Sequence, residues 1–201
     1  MFIQDSTPEI SHTTNPNRLV VAISGASGAI LGIRLLETLK PTAVETHLIV
    51  SESAPLTIKQ ETDWSIKDVL ALADVTHDFH NISASIASGS FNIMGMVIIP
   101  CSVKSLSAVA NSYSDDLLSR AADVTLKEGR PLILVVREAP YHPGHLRLML
   151  DAARAGAVIF PPVPAFYTHP HSTDDIVNNI VGRVLARLGI SNNLYREWQG
   201  K

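Results

Sequence analysis

Short, continuous runs of apolar residues recur along the chain, and small or polar residues follow each of them. The first run, at residues 19–23, ends in Ser-Gly and has the form of a strand buried on both faces of a parallel sheet. Apolar positions then recur with helical spacing over residues 28–40, and residues 44–50 form a second strand candidate. The chain is therefore predicted to begin with a β-α-β unit.

The same alternation continues towards the carboxyl terminus. Runs at residues 96–100, 132–136 and 157–160 predict three more strands, and helical patterns cover residues 114–128 and 173–188. Strands that alternate with helices indicate an α/β fold with a doubly wound parallel sheet. Because ligands of such sheets bind beyond the carboxyl ends of the strands, we expect the chemistry in the loops that follow them.

Length and composition limit the kind of protein this can be. A chain of 201 residues fits a single domain, which we place at residues 18–201 behind a polar, disordered leader at residues 1–17. Hydrophobic residues make up 46% and charged residues 17%, so the apolar excess suggests contacts between subunits. The net charge of -3 provides no field that would attract nucleic acid.

The cellular setting follows from what the sequence lacks. No uncharged run reaches the roughly 18 residues of a membrane span, and the amino terminus does not have the pattern of a signal peptide. Cys101 is the single cysteine, which excludes an intrachain disulfide. We therefore expect a cytoplasmic protein.

The loop at residues 24–28 reads Ser-Gly-Ala-Ser-Gly and joins the first strand to the first helix. Its backbone N–H groups and serine hydroxyls can close on a phosphate at the helix amino terminus. The Gly-x-x-Gly spacing is not the dinucleotide fingerprint, and a tight turn with Ser27 as the N-cap is the alternative.

A second loop, Pro-Cys-Ser-Val-Lys at residues 100–104, ends another strand. Cys101 could be a nucleophile, but the sequence offers no partner that would lower its pKa, so a small buried cysteine is the preferred interpretation. Ser102 and Lys104 are suited to the polar ring edge or the phosphate of a ligand. Arg120 and Lys127 lie seven residues apart on one helix face, where they could clamp a phosphate or simply face solvent.

Two later segments complete the candidate chemistry. Arg137 and Glu138 follow a strand directly, so they are either a structural ion pair or part of a catalytic site in which the carboxyl group protonates a departing phosphate oxygen. Residues 161–170 are rich in proline and contain an aromatic pair, which suits either a rigid wall over an apolar ligand or a plain surface loop. Arg183 falls in the last predicted helix and could be an ordinary exposed arginine.

Taken together, seven segments of the chain resemble the UbiX-type flavin prenyltransferase family over residues 18–198. They are ISGASGA at 23–29, ETD at 61–63, ASGSF at 87–91, PCSVKSLSA at 100–108, LLSRAADVTLKEGRP at 117–131, VREAP at 136–140 and PPVPAFYTHP at 161–170. The resemblance implies a flavodoxin-like (Rossmann-like) fold, a homododecamer, and active sites between subunits.

The resemblance also implies an activity and a set of site residues. Family members join the dimethylallyl group of dimethylallyl monophosphate to N5 and C6 of reduced FMN, and the prenylated FMN serves UbiD-type decarboxylases. Glu138 matches the acid–base carboxylate, and Glu61 a second carboxylate near the flavin and the prenyl chain. By position, FMN would be held by Gly25, Ala26, Ser27, Ser51, Cys101, Ser102, Val103, Lys104 and Arg137, and the donor phosphate by Ser90, Arg120, Lys127, Tyr167 and Arg183.

A bound metal is not expected. The histidine pairs at 142/145 and 169/171 come without the cysteine or carboxylate company of zinc and iron sites. The aspartate pairs at 115–116 and 174–175 do not make the Asp-Asp-x-x-Asp spacing by which ordinary prenyl-transfer enzymes hold magnesium diphosphate. Arginine, lysine and tyrosine would have to hold a prenyl donor instead.

Two departures from the family pattern leave the choice of substrate open. Gly129 stands where the family commonly has arginine, and Tyr-His-Pro-Gly at residues 141–144 replaces a loop that often carries leucine or serine. Two alternatives remain. One is a flavin-dependent cysteine decarboxylase, whose Pro-Ala-Ser-Ala-Asn-Thr run differs from the Pro-Cys-Ser-Val-Lys-Ser found here, and the other is a flavin carrier subunit without catalysis.

Overall fold

The computed structural model describes residues 17–200, so the leader predicted at residues 1–17 lies, apart from Asn17, outside the described residues. Within that range the strands are β1 (Arg18–Ile23), β2 (Glu45–Val50), β3 (Val75–His77), β4 (Gly95–Cys101), β5 (Leu132–Val136) and β6 (Val158–Ile159). The helices of the same range are α1 (Ala29–Leu39), α2 (Ala54–Glu61), α3 (Ile66–Leu70), α4 (Val103–Ala110), α5 (Leu117–Lys127), α6 (Pro143–Arg154) and α7 (Thr173–Arg187).

All six strands lie in one parallel sheet, in the order β3-β2-β1-β4-β5-β6. Without β3, the order is the flavodoxin-like arrangement, and β3 adds one edge strand to it. The predicted doubly wound α/β fold is therefore confirmed. The five predicted strands are all present within one or two residues of their expected bounds, whereas β3 was missed because three half-exposed residues carry too short a pattern.

The core consists of two layers, one on each face of the sheet. Leu19, Val21 and Ile23 of β1 pack against α1 and α7, while Val20 and Ala22 pack on the opposite face, towards α4, α5 and α6. The side chains of β1, β4 and β5 are buried on both faces, as expected of central strands in a covered parallel sheet. This explains why these strands read as continuous apolar runs rather than as an alternation.

Caps define where two of the predicted helices begin. Residues 114–116 were expected to be helical, but α5 begins at Leu117 because the Asp116 carboxylate accepts a hydrogen bond of 2.7 Å from the Ser119 N–H and caps the helix. In the same way, Ser172 and Asp175 form a capping box at the start of α7. One aspartate of each adjacent pair is therefore used in capping a helix.

The order of the strands reverses at β1, since the chain runs from β1 to β2 and β3 on one side and returns to β4 on the other. In open α/β sheets this switch point opens a crevice at the carboxyl ends of the strands. The loops that follow β1, β2 and β4 meet there. Within residues 17–200, the helices are too short or too polar for any of them to cross a bilayer.

Candidate active site

The glycine loop, residues 24–28, turns directly from β1 into α1 at the switch point. Gly25 packs so closely on Ser53 that a methyl group added at Gly25 would overlap the Ser53 hydroxyl and lie 3.3 Å from its backbone carbonyl carbon. Ser51 and Ser53 are themselves within 3.5 Å of each other through their hydroxyl oxygens. The absence of a side chain at Gly25 therefore lets two serine-bearing loops approach each other.

The amino terminus of α1 differs from the simpler expectation that Ser27 caps it. The N-cap is Gly28, which has a left-handed φ of 97° and has no side chain to accept a hydrogen bond. Glu61, at the end of α2, supplies the missing acceptor: its Oε2 accepts hydrogen bonds of 2.7 Å from the Gly28 N–H and 3.3 Å from the Ala29 N–H. Ser27 as N-cap was therefore wrong, and a carboxylate of this chain occupies the position at which a phosphate was expected.

Ser24 ties the first loop to the loop after β4. Its hydroxyl donates to the Pro100 carbonyl at 2.7 Å and accepts from the Ser102 N–H at 2.8 Å. Ser102 in turn caps α4 by accepting from the Ser105 N–H at 3.2 Å. These bonds place Ser102, at the start of α4, beside the glycine loop.

A cleft of about 230 Å³ opens between the loop after β2, the first turns of α4 and the start of α5. Its lining is mostly apolar surface with polar groups between, and it consists of five serines, Lys104, the carboxylates of Glu52 and Asp116, and the side chains of Phe79, Ala108 and Leu118; the serines are Ser51, Ser53, Ser102, Ser105 and Ser119. Hydroxyls, a lysine and a helix amino terminus are groups that bind phosphates and the polar edges of rings. The hydroxyls, Lys104 and the apolar side chains therefore fit the polar edge and the face of a ring such as the flavin of FMN.

Cys101 lies at the end of β4 with its side chain completely buried. Burial raises the pKa of the Cys101 thiol to about 12, so the thiolate that a nucleophile requires is not formed near neutral pH. The prediction of a small buried cysteine is therefore confirmed. Cys101 therefore belongs to the core, and its carbonyl accepts from the Arg137 N–H at 3.1 Å.

Arg137 and Glu138 lie at the carboxyl end of β5, next to the loop after β4. The Arg137 N–H donates to the Cys101 carbonyl at 3.1 Å, which joins the ends of the two strands. Glu138 is partly exposed, and its Oε1 accepts from the N–H of Ala139 at 3.0 Å. No Arg137–Glu138 ion pair is present among the residues that the structure describes, so the structural-pair interpretation is not supported.

Ser90 and Lys127 lie at the other edge of the sheet, because Ser90 precedes β4 and Lys127 precedes β5. A methyl group added at Gly89 would lie 2.8 Å from the Lys127 Nζ and would overlap the Glu128 carboxylate, which pairs with Lys127. The Ser90 hydroxyl contacts that of Ser88 at 2.9 Å. The loop that carries Ser90 thus lies against Lys127, another residue assigned to the donor phosphate.

Arg120 is not close to Lys127 along the helix. Seven residues of an α-helix rise by about 10 Å, so the two cations lie near opposite ends of α5. Arg120 forms an ion pair with Asp123 at 3.3 Å, and both side chains are partly exposed. Within one chain, Arg120 and Lys127 therefore do not form a single clamp for a phosphate.

The proline-rich segment forms an exposed aromatic surface. Tyr167 is half exposed and packs edge-on against Trp198, with ring centroids 5.5 Å apart, and Phe166 is 73% exposed. Arg183 of α7 lies over the ring of Phe160, 5.8 Å from its centroid, beside a cavity that includes Pro161 and Val163. This surface has the character of a wall or an interface rather than of an ordinary polar loop.

The single chain therefore assembles only part of the predicted site. The residues assigned to FMN meet at the carboxyl edge of the sheet, whereas Ser90 and Lys127 lie at the amino edge. Across residues 17–200, no three His, Cys, Asp or Glu side chains are placed to hold a metal ion together.

Several residues that support the site were not singled out from the sequence. Ser53 packs on Gly25, Trp198 packs on Tyr167, and Arg130 holds the loop around Ser90. Arg130 lies in the Lys-Glu-Gly-Arg-Pro run, just before β5. Its place in that run could have indicated a structural role. Ser53 and Trp198 gave no such signal, because their partners are distant in the sequence.

The fold and the cleft define an α/β protein of the flavin-binding class, and comparison with known proteins agrees with this. The Flavoprotein family model matches residues 7–185. The chain is 59% identical over 186 residues to the flavin prenyltransferase UbiX of Escherichia coli K12, across 91% of this chain and 98% of that protein. It is 55% identical over 183 residues to UbiX of Thauera aromatica, across 91% and 94% of the two chains. The chain therefore belongs to the UbiX family of flavin prenyltransferases.

Solved structures lead to the same conclusion. AnUbiX (PadA1) in complex with FMN and dimethylallyl pyrophosphate superposes with a TM-score of 0.90 at 49% identity, covering 92% of this chain and 98% of that one. A dodecameric FMN-dependent UbiX-like decarboxylase from Escherichia coli O157:H7 superposes with a TM-score of 0.89, also at 49% identity, covering 91% and 100%. The peptidyl-cysteine decarboxylase EpiD shares the fold alone, at 17% identity and a TM-score of 0.59 over 74% of this chain and 82% of that one.

Proposed function

We propose that this protein transfers the dimethylallyl group of dimethylallyl phosphate to N5 and C6 of reduced FMN, and that prenylated FMN is its product. The observation that carries the proposal is the joining of three strand ends at one edge of the sheet. Ser24 bonds to the loop after β4, and Arg137 bonds to the end of β4. The residues assigned to the flavin are thereby held beside Glu138.

The polar groups at this edge would bind the flavin as follows. The N–H groups and hydroxyls of residues 25–27, together with Ser51, would hold its polar groups, and residues 101–104 and Arg137 would hold the rest. Cys101 is completely buried in the single chain, so it would support this part of the site from the core. Bound FMN supplies a ring nitrogen and a ring carbon to which the prenyl group is joined.

The donor phosphate would be held by Ser90, Arg120, Lys127, Tyr167 and Arg183. Three cations and two hydroxyls can neutralise a phosphate without a metal, and we propose that the reaction is metal-independent. Glu138 would give a proton to the phosphate oxygen as the allylic C–O bond breaks, and the aromatic residues of the 161–170 segment would stabilise positive charge on the prenyl group. Glu61 would add a second carboxylate near the flavin and the prenyl chain.

We further propose that the site is completed by other copies of the chain in a homo-oligomer, with a dodecamer as the expected assembly. The cleft of one chain, about 230 Å³, is below the roughly 300–1,000 Å³ typical of ligand pockets. Ser90 and Lys127 lie at the edge of the sheet opposite the flavin residues, and Val163, Phe166 and Trp198 are more than 60% exposed. A second copy would bring one group to the other and cover these apolar residues.

The product would pass to a UbiD-type decarboxylase, and the protein would act in the cytoplasm. Both statements stay predictions. A reconstitution assay with an apo decarboxylase, and cell fractionation, would check them.

The test of the proposed function is mass spectrometry of the flavin after anaerobic incubation of the purified protein with reduced FMN, a donor and a metal chelator. Dimethylallyl monophosphate and dimethylallyl pyrophosphate are compared as donors. We expect a mass gain of one five-carbon prenyl unit. Unchanged FMN that stays tightly bound would instead favour a carrier subunit or a cysteine decarboxylase.

The Glu138→Gln variant tests the proposed proton donor within this assay. We expect it to bind FMN normally and to form little or no prenylated flavin, because the amide cannot supply the proton. Glu37→Gln, which alters a partly exposed ion pair on α1, is the matched control and should react like the wild type. Normal turnover by Glu138→Gln would remove Glu138 from the mechanism.

A further inference from the structure

The loop between the 3₁₀ turn at Ser85–Ala87 and β4 carries Ser90, and its conformation is held from outside. Within the loop, the Phe91 N–H donates to the Ser88 carbonyl at 3.2 Å, and Ser88 and Ser90 contact each other through their hydroxyls. Ser90 itself is exposed. These few short-range contacts do not by themselves fix the loop against the rest of the molecule.

Arg130 supplies the missing restraint. Its guanidinium donates to the Phe91 carbonyl at 3.0 Å, to the Gly89 carbonyl at 2.8 Å and to Asn92 Oδ1 at 3.1 Å. The three acceptors flank Ser90 on both sides. A planar guanidinium can meet them at once, whereas a lysine ammonium acts as a point charge and does not reproduce this fork.

The position of Arg130 is itself set by the turn between α5 and β5. Gly129 adopts a left-handed φ of 66°, and the Arg130 N–H donates to the Thr125 carbonyl at 2.9 Å. Lys127 is three residues earlier on the same turn, and its Nζ lies against Gly89. The turn therefore presents Lys127 to one side of the loop and the Arg130 guanidinium to its carbonyl groups.

Phe91 provides a second restraint on the same loop. The Arg18 guanidinium lies over its ring, 4.6 Å from the centroid, and the His47 ring meets it edge-on at 5.3 Å. This side-chain contact limits the position of Phe91. It does not bind the peptide groups around Ser90, which accept hydrogen bonds from Arg130 instead. The two restraints are thus separate, and Arg130 is the one that acts on the backbone.

We propose that Arg130 is a positioning residue for the donor phosphate: it holds the loop so that Ser90 stands beside Lys127, without contacting the donor itself. The inference rests on the proposed function, because it takes Ser90 and Lys127 as donor-phosphate ligands. Loss of Arg130 would weaken donor binding, while the flavin residues, at the opposite edge of the sheet, would be unaffected.

Steady-state kinetics of Arg130→Lys test this role. We expect the KM for dimethylallyl phosphate to rise about tenfold or more, since hydrogen bonds from a charged donor are lost, with kcat reduced less than threefold and the dissociation constant of FMN unchanged within twofold. Arg187→Lys is the matched control: Arg130 and Arg187 both line a cavity of about 340 Å³, but Arg187, among the described residues, donates no hydrogen bond to the loop. It should keep the wild-type KM.

Gly89→Ala provides a second variant should Arg130→Lys fold poorly. Its methyl group would displace the ends of the Lys127 and Glu128 side chains from the loop, so the donor KM should rise while FMN binding stays normal. A wild-type donor KM in Arg130→Lys would overturn the proposal, as would an equal loss of FMN and donor binding. A wild-type protein that forms no prenylated FMN would instead refute the proposed function.

Discussion

Gly32, in the first turn of α1, packs closely against the sheet. A methyl group added there would overlap the carbonyl oxygen of Ile99 and lie 2.8 Å from the Cγ1 of Ile23. Neither partner can rotate away easily, since one is backbone in β4 and the other is a fully buried side chain of β1. The Gly32→Ala variant must therefore separate α1 from the sheet.

The size of the effect follows from these contacts. Normal carbon contacts are about 3.5–4.0 Å, so the helix would have to move by roughly 1 Å. Overpacking of this kind costs about 1–3 kcal/mol, and a clash with backbone belongs at the upper end of that range. Alanine is also a better helix former than glycine by about 1 kcal/mol. We therefore expect a net loss of about 2 kcal/mol in the free energy of unfolding.

The same displacement should reach the flavin site, because the glycine loop leads directly into α1. A misplacement of about 1 Å can cost up to roughly a hundredfold in function, so we expect FMN affinity to fall by about tenfold or more. Urea denaturation at a fixed protein concentration measures the stability, and fluorescence titration measures FMN binding. The fixed concentration is needed because association of copies changes the apparent stability.

Gly189→Ala is the matched control for this variant. Gly189 has a φ of 75° with open space around it, so alanine there meets backbone strain without a clash. We expect it to lose about 1 kcal/mol and to bind FMN normally. Wild-type stability and wild-type FMN affinity in Gly32→Ala would refute the account of close packing between α1 and the sheet.

Two further predictions concern charged groups. Glu61→Gln should lower the free energy of unfolding by about 1 kcal/mol, because the charge that caps α1 is lost; Glu52→Gln, which breaks an exposed pair with His80, should change it by less than about 0.5 kcal/mol. Equal urea midpoints for the two variants would contradict the capping role. Burial and the neighbouring His47 lower the pKa of His77 in the folded protein. As pH falls, His77 is therefore protonated in the unfolded chain before it is protonated in the folded one. The free energy of unfolding should decrease as pH falls below about 6.5. His77→Gln should flatten this part of the pH profile, and an unchanged profile would show that His77 does not contribute.

The candidate site could be predicted from the sequence mainly where ligand groups follow a buried strand. Ser102, Lys104, Arg137 and Glu138 were found because apolar runs mark the strands and the loops come directly after them. Glu61 was placed near the flavin only through the resemblance, and its bonds to Gly28 and Ala29 could not be predicted. They join segments more than 30 residues apart, which no local pattern records.

The amino-acid sequence alone determined the alternation of strands and helices, the doubly wound fold and the burial of Cys101. These depend on local periodicity and on the need of a covered parallel strand to be apolar on both faces. Only the tertiary structure decided that Ser90 lies beside Lys127, that both lie away from the flavin residues, and that Arg130 holds their loop. Such relations depend on where the strands pair and how the turns between them are oriented, and these are set by contacts between distant residues rather than by neighbours along the chain.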